Sequence, residues 1–259
     1  MDHTFMKDKL EVIVFENRRA LGECASKRVA KKISELFKLK GEVNIIFAAA
    51  PSQNEFLEYL AIDPNIPWEH INAFHMDEYL GLAPAAPQAF GSFLKSRLFD
   101  RVPLKSVNLI DSRLSNVADE YTRYSELLYK FPPDIVCMGI GENTHIAFND
   151  PPLARFIDSE KIRMVQLDKA CRQQQVNDKC FRQLGDVPEF ALTLTIPALL
   201  QAFYIFCMVP GKLKAAAVKY TLSEPVSELY PSTILRNHQA AVLFLDKDSY
   251  SLSAKVDLS

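Results

Sequence analysis

The chain has 259 residues, a formal net charge of −2 and a sequence pI of about 6.2. This charge balance argues against nucleic-acid binding through a broad basic surface, and no apolar run reaches the roughly 20 residues that span a bilayer. The start of the chain is polar, and the five cysteines are odd in number and far apart. We therefore expect a cytoplasmic protein with reduced thiols, no structural metal, no membrane partner and no nucleic-acid partner.

Short apolar segments alternate along the chain with longer segments of helical periodicity. The first strand is predicted at Val12–Phe15, and Asn17 caps a helix that runs to about Leu39. Further strands are predicted at Val43–Phe47, Ile71–Phe74, Val107–Ile110, Ile135–Ile140, Met164–Leu167, Ala191–Thr195, Phe203–Val209 and Ala240–Leu245. Further helices are predicted at Phe90–Phe99, Val117–Tyr129 and Gly211–Lys219.

This alternation predicts an α/β fold in one domain covering residues 1–259, with a mostly parallel, Rossmann-like open sheet and helices on both faces. Ligands of such folds bind beyond the carboxyl ends of the strands. The rule directs attention to the segments that follow four predicted strands, those ending at Phe47, Phe74, Ile140 and Val209.

The segment after Ile140 contains one histidine in polar surroundings. Gly139 and Gly141 allow a tight exit from the sheet, and His145 stands five residues before Asp150. An imidazole titrates near neutrality, so a histidine at a strand end is a candidate general acid or base that a nearby carboxylate would orient. A loop histidine bonded to backbone is the alternative that spacing alone leaves open.

The segment after Phe74 contains two adjacent carboxylates, Asp77 and Glu78. Adjacent side chains diverge, so we expect one to face the end of the sheet and the other to face solvent. A carboxylate held beside a carbon acid carries protons. A solvated acidic turn is the alternative interpretation.

Taken together, the two segments resemble the motifs of the glucosamine-6-phosphate deaminase (isomerase) family. Residues His75–Leu82 are similar to the family pattern N/H-M-D-E-Y-x-G-L, and Gly139–Pro151 to G-x-G-x-N/D-G-H-I-x-F-N-E-P. The resemblance is collinear from about Val12 to Phe244. The residues after His145 favour this amino-sugar branch over the related 6-phosphogluconolactonases.

The resemblance implies a reaction and a role for each matching residue. An amino-sugar phosphate is opened to its chain form, a proton moves from C2 to C1, and water releases ammonia from the resulting imine. His145 would assist ring opening, Asp77 would abstract the C2 proton, and Asn143 and Asp150 would hold His145. The reaction needs no metal, nucleotide or other cofactor.

Phosphate binding in the family uses a loop after the second strand, an arginine and a lysine. The matching residues are Ser52, Arg172 and Lys214, and cations that converge on a phosphate form charge-assisted hydrogen bonds. The expected partner is therefore a small sugar phosphate, bound by a chain that can form a homo-oligomer.

Three departures from the family pattern affect these expectations. Ala50 and Pro51 stand where the phosphate loop usually has glycines, and proline has no N–H to offer an anion. Thr144 replaces the glycine before His145, and a β-branched residue argues against a positive φ there. Asp150 replaces a glutamate, so it reaches His145 only if the loop lies closer.

Three functions remain open at this point. The first is a deaminase acting on glucosamine 6-phosphate or on a close relative such as galactosamine 6-phosphate. The second is a sugar lactone hydrolase that uses His145 on a ring ester. The third is a regulator that kept the sugar-phosphate pocket without turnover, which the altered loop at Ala50 and Pro51 would suit.

Overall fold

The computed structural model describes residues 3–83, 86–112, 116–151 and 153–253. Its central sheet has eight strands in the order β1-β2-β11-β10-β7-β3-β4-β6, and every described pairing is parallel except that of β1 with β2. The strands are β1 (His3–Lys7), β2 (Leu10–Phe15), β3 (Val43–Phe47), β4 (Ile71–His75), β6 (Ser106–Asn108), β7 (Ile135–Met138), β10 (Tyr204–Val209) and β11 (Ala241–Asp246). The predicted α/β fold with a mostly parallel sheet is confirmed.

A second, smaller sheet lies apart from the central one. It contains β5 (Asp77–Tyr79), β8 (Ile162–Gln166) and β9 (Phe190–Leu194) in the order β5-β9-β8, and both pairings are antiparallel. Two of these strands lie where the sequence predicts strands, but they do not extend the parallel sheet. Pairing with β9 fixes the position of β5, which begins at Asp77.

Helices cover both faces of the central sheet, as predicted. They are α1 (Arg18–Lys40), α2 (Asn54–Ala61), α3 (Phe90–Leu94), α4 (Val117–Lys130), α5 (Lys169–Asn177), α6 (Ile196–Leu200), α7 (Ala215–Ser223) and α8 (Lys247–Tyr250). A π-helical turn, Lys95–Phe99, continues α3, and a 3-10 turn, Lys212–Lys214, precedes α7. Within the described ranges, no helix is long and apolar enough to cross a membrane.

The strand β3 shows how the core is divided between the two faces. All five of its residues are buried, and its side chains alternate between two apolar clusters. Ile45 and Phe47 pack in the cluster that includes residues of α1 and α2, whereas Ile46 packs in the cluster that includes residues of α4 and α7. A strand buried on both faces reads as a continuous apolar run, which is why the sequence locates β3 to the residue.

Helix α1 begins and ends where the sequence predicts. Asn17 is its N-cap, and its Oδ1 accepts hydrogen bonds from the N–H groups of Arg19 at 3.1 Å and Ala20 at 3.0 Å. Gly41 ends the helix with φ of +80°, and its N–H donates to the Phe37 carbonyl at 2.8 Å. The cap at Asn17 places the first turn of α1 just beyond the carboxyl end of β2.

Candidate active site

A cavity of about 290 Å³ opens at the carboxyl ends of the central strands. Its wall combines the segments after β3, β4, β7 and β10 with residues of α1 and α5. The sequence predicts that a ligand binds at these four segments. The cavity volume lies near the lower end of the range of about 300–1,000 Å³ for small-ligand sites. The lining includes Arg18, Ser52, Asp77, His145, Gln174, Gln175, Asp178, Lys212 and Lys214.

Asp77 lies on the cavity wall at the start of β5. Its side chain is buried, and the residue is 7% exposed. Burial, with a further contribution from the charge of Glu78, raises the pKa of the Asp77 carboxyl well above its ordinary value. A carboxyl group with a raised pKa is a stronger base once ionised, which suits proton transfer at carbon.

Glu78 points away from the cavity and has a structural role. Its carboxylate accepts hydrogen bonds from the N–H groups of Phe90 at 3.0 Å and Gly91 at 2.8 Å, and so holds the start of α3. Burial would raise the pKa of Glu78, but His75 and these two N–H groups keep it below its ordinary value. The two carboxylates diverge as predicted, but the expectation that one faces solvent is wrong, because Glu78 is 5% exposed.

His145 also lines the cavity, in the loop after β7. The loop closes through a hydrogen bond from the Gly141 N–H to the His145 carbonyl at 2.9 Å. The Asn143 side chain accepts from the His145 N–H at 3.2 Å and donates to Asp150 Oδ1 at 2.8 Å. Asp150 Oδ1 lies 2.7 Å from His145 Nδ1, so Nε2 of the ring remains for a group in the cavity.

The shorter carboxylate at position 150 reaches His145 after all. Burial would raise the pKa of Asp150, but the charge of His145 and hydrogen bonds from His145, Asn143 and the Cys171 thiol hold it below its ordinary value. Asp150 therefore stays ionised beside the imidazole over the neutral pH range and orients it.

Thr144 corrects a sequence-based expectation. Its φ is +73°, although a β-branched side chain argues against that region. Its N–H donates to the Gly141 carbonyl at 3.0 Å, and its carbonyl accepts from the Ser232 N–H at 2.9 Å. The closure of the loop around His145 therefore imposes a left-handed conformation on a residue that disfavours it.

Ser52 and Lys214 line the cavity on two different loops. Ser52 lies in a 3-10 turn, Pro51–Gln53, and a Cβ on Gly139 would come within 3.1 Å of its Oγ. Lys214 is 8% exposed, and burial lowers the pKa of its ammonium group. A buried cation without an ion pair among the described residues is a favourable partner for an anionic ligand.

Arg172 does not line the cavity. Its Nη2 donates to the carbonyls of Leu184 at 3.0 Å and Val187 at 2.9 Å, and Nη1 lies 3.6 Å from a carboxylate oxygen of Glu189. The predicted convergence of Ser52, Arg172 and Lys214 on one anion is therefore not the arrangement in this structure. Arg172 holds the segment between α5 and β9.

Sequence reasoning missed Arg18 and the two glutamines at this site. Gln174 is buried, and its Oε1 accepts from the Glu142 N–H at 2.7 Å, while Gln175 is buried on the cavity wall. In a single sequence, nothing distinguishes a glutamine that lines a binding site from the other polar residues of the same helix. The position of Arg18 does indicate that it can reach the site. Arg18 follows β2, and β2 is parallel to its neighbour β11, so the two strands end at the same edge of the sheet.

One group of potential metal ligands occurs in the described ranges. Single atoms of His145, Asp150 and Cys171 lie within 4.8 Å of one another. Their contacts are those of a hydrogen-bonded chain of thiol, carboxylate and imidazole, which accounts for the grouping without an ion. The absence of a metal from the reaction remains a prediction.

Comparison with known proteins gives the family. The model of the glucosamine-6-phosphate isomerases/6-phosphogluconolactonase family matches residues 16–244. The chain belongs to this family. It is 30% identical over 243 residues to a glucosamine-6-phosphate deaminase of Listeria monocytogenes, an alignment that covers 94% of this chain and 100% of the relative.

Solved structures of family members agree with the fold described above. A monomeric glucosamine-6-phosphate deaminase superimposes with a TM-score of 0.84 at 26% identity, covering 93% of this chain and 99% of that one. A 6-phosphogluconolactonase from Shewanella baltica superimposes with a TM-score of 0.76 at 15% identity, covering 93% and 100%. The second likeness concerns the fold alone.

Proposed function

We propose that this family member is an amino-sugar phosphate isomerase and deaminase, which converts glucosamine 6-phosphate, or galactosamine 6-phosphate, to a ketose 6-phosphate and ammonia. The observation that carries the proposal is that Asp77 and His145 line one cavity, while Asp150 lies 2.7 Å from Nδ1 of the His145 ring. The name of the Listeria monocytogenes relative supports the same substrate class.

The proposed reaction begins with His145 and Asp150. Asp150 holds Nδ1, so Nε2 is free to move a proton to or from the ring oxygen of the bound sugar. The ring oxygen gains a proton, its bond to C1 breaks, and the C1 hydroxyl loses its proton to water, which leaves an aldehyde at C1. The ionised partner at 150 stabilises the imidazolium form that donates the proton.

Asp77 performs the second step. Its carboxylate takes the proton from C2 and returns it to C1, while the ammonium group at C2 gives up a proton and the C1 oxygen gains one. C1 thereby becomes a hydroxymethyl carbon and C2 becomes an iminium carbon. Water adds at C2, ammonia leaves, and the products are a ketose 6-phosphate and ammonia. The buried position of Asp77 keeps bulk water away from the carbanion that forms between the two proton transfers.

The phosphoryl group occupies the part of the cavity near Ser52 and Lys214 in this proposal. A remote anionic anchor orients the reacting carbons, because binding energy gained there restricts the motion of the sugar. Five free thiols in the described ranges accord with the proposed cytoplasmic location. The proposed reaction gives the protein a role in the use of amino sugars. The chain can act as a monomer or as a homo-oligomer.

Ammonia release decides between the candidate functions. Purified protein in buffer with a chelator is given glucosamine 6-phosphate, galactosamine 6-phosphate and unphosphorylated glucosamine, and ammonia and ketose are both measured. We expect the two products in equal amounts from a phosphorylated amino sugar, and none from the His145→Gln variant. Hydrolysis of 6-phosphogluconolactone without ammonia release would favour the lactonase, and binding without turnover would favour the regulator.

A further inference from the structure

Arg18 is a cation of the cavity wall that the sequence motifs do not mark. The arginine and lysine residues that line the cavity are Arg18, Lys212 and Lys214. Lys212, like Arg18, is exposed, and Arg172 lies elsewhere. The cavity loop that contains Ala50 and Pro51 has one hydrogen-bond donor fewer for an anion, because Pro51 has no N–H.

The guanidinium group of Arg18 is held in a fixed orientation. Its Nε and Nη2 lie 2.6 and 2.8 Å from the two carboxylate oxygens of Glu55, and Nη2 also donates to the Pro51 carbonyl at 2.9 Å. A bidentate pair of this kind fixes a planar group in place. Nη1 has no hydrogen-bond partner among the described residues, and the Arg18 side chain is 44% exposed.

Close packing of α1 on α2 supports this arrangement independently. A Cβ on Gly22 would lie 2.6 Å from the Cβ of Glu55, so only glycine lets the two helices approach this closely. That approach brings Glu55, in the first turn of α2, within reach of Arg18, in the first turn of α1. The close packing of the two helices therefore places the two side chains of the pair within reach of each other.

Arg18 lines the same cavity as the loop that carries Lys214. The Asp246 carboxylate accepts from the N–H of Gly211, a cavity residue, at 3.0 Å. The pKa of Arg18 is raised chiefly by its hydrogen bond with Glu55, and the charge of Asp246 adds to the effect. Arg18 and the loops that contain Pro51 and Lys214 therefore line one cavity.

We infer that Arg18 binds the phosphoryl group of the substrate through Nη1, while its Nη2 fixes the Pro51 carbonyl and thereby the loop that carries Ser52. The inference rests on the proposed function, because it assigns the phosphoryl group to this end of the cavity. The guanidinium supplies the donor that the loop with Ala50 and Pro51 lacks. Glu55 holds the guanidinium in orientation but also reduces its attraction for an anion.

A purely structural role for Arg18 predicts the opposite effect of one substitution. If Arg18 binds the anion, Glu55→Gln keeps a hydrogen-bond acceptor, removes a competing negative charge and tightens phosphate binding. If Arg18 only joins α1 to α2 and the loop, Glu55→Gln weakens that link and loosens phosphate binding. The sign of the change therefore separates the two roles.

The experiment measures Kd for inorganic phosphate by calorimetry, and KM for glucosamine 6-phosphate, in wild type, Arg18→Met and Glu55→Gln. Arg19→Met is the matched control, because Arg19 carries the same charge on the next residue and lies over the Tyr59 ring instead of lining the cavity. We expect Arg18→Met to raise both constants about 10- to 100-fold. We expect Glu55→Gln to lower the phosphate Kd about 2- to 5-fold, and Arg19→Met to change neither constant.

Thermal unfolding of each variant accompanies the binding measurements. Wild-type constants in a stable Arg18→Met protein, or weaker phosphate binding in Glu55→Gln, would overturn the assignment of Arg18. Failure of the proposed function looks different, because wild type itself would then release no ammonia. The phosphate Kd is measured without turnover, so the two failures are distinguishable.

Discussion

The imidazole of His145 lies against the backbone of Gly141, so closely that a Cβ on Gly141 would be 2.2 Å from Cε1 and 2.3 Å from both ring nitrogens. Gly141 is not among the glycines with a positive φ, so the close approach of the ring is what requires a glycine here. Gly141→Ala must displace the ring from Asp150 or move the loop. We expect kcat/KM for the amino-sugar phosphate to fall at least about 100-fold, as displacement of a catalytic group by about 1 Å does.

The control for that substitution is Gly185→Ala. Gly185 is exposed, and a Cβ there would meet no atom within 4 Å. We expect its activity to match wild type, because the added methyl group lies in open space. An active Gly141→Ala enzyme with wild-type kcat/KM would contradict the placement of His145 in the reaction.

The second prediction concerns proton abstraction by Asp77. Asparagine has nearly the same shape as aspartate but accepts no proton at neutral pH. Asp77→Asn should therefore abolish exchange of the C2 hydrogen with deuterated solvent, while the Kd for the ketose phosphate product changes little. Mass spectrometry of recovered sugar measures the exchange, and exchange at the wild-type rate would remove Asp77 from this role.

The third prediction follows from the raised pKa of Asp77. Because the folded protein holds the Asp77 proton more tightly than the unfolded chain does, its stability falls as pH rises from the unfolded pKa, about 3.9, through the folded pKa. The loss is complete above the folded pKa. Asp77→Asn removes this penalty, so the variant should be more stable than wild type at neutral pH and equal to it below about pH 4.

Urea unfolding of wild type and Asp77→Asn from about pH 3 to about pH 8 measures this difference. The same pKa shift has a kinetic consequence, because the base must be ionised to act. The acid limb of the kcat/KM profile should therefore lie well above the ordinary aspartate range. A variant less stable than wild type at neutral pH would show that the Asp77 carboxylate is stabilised in the fold.

The sequence predicts the elements that lie deep in the core, and it fails on those whose side chains are polar or whose partners are distant. β3 is buried on both faces, so its apolar run identifies it. β1 is largely exposed along its length and pairs only at the sheet edge, so it lacks such a run. β5 has three residues and is a strand because it pairs with β9, more than a hundred positions further along the chain.

In the candidate site, too, the sequence predicts contacts within one short motif, but it does not predict contacts between segments that only the fold brings together. The motif around His145 predicts that Asn143 and Asp150 lie near it, because a short loop brings neighbours in sequence together. Arg172 lies in the nine-residue helix α5, far in sequence from the other site residues, so its position does not determine which way the side chain points. The carbonyls of Leu184 and Val187 hold it away from the cavity, and no property of Arg172 in the sequence indicates that contact.

The fourth prediction concerns the strain at Thr144. Thr144→Gly and Thr144→Ala both remove the γ atoms of this buried residue, including a hydroxyl without a partner among the described residues. They differ only in the Cβ, which at φ of +73° costs about 1 kcal/mol or more. The glycine variant should therefore be more stable than the alanine variant by about 1 kcal/mol in urea unfolding. Equal stability of the two would show that the left-handed conformation relaxes once the β-branch is removed.

The last prediction compares Arg172 with Lys214, the two cations that the family resemblance assigns to phosphate. Methionine at either position keeps the apolar stem and removes the charge. Arg172→Met leaves the carbonyls of Leu184 and Val187 without their donor, so we expect a loss of about 1–3 kcal/mol in the free energy of unfolding.

Lys214→Met, in contrast, should weaken the binding of the ligand. Lys214 is buried on the cavity wall, and its lowered pKa shows that the charge is costly there until an anion pairs with it. Its removal should raise KM for glucosamine 6-phosphate about 10- to 150-fold, because a charge-assisted contact contributes about 1.5–3 kcal/mol. A comparison with unphosphorylated glucosamine distinguishes the two variants. Arg172→Met should weaken the binding of both sugars equally, whereas Lys214→Met should weaken the binding of the phosphorylated sugar only. If Arg172→Met weakened the binding of the phosphorylated sugar alone, the Arg172 guanidinium of wild type would have to leave the two carbonyls and enter the cavity when substrate binds.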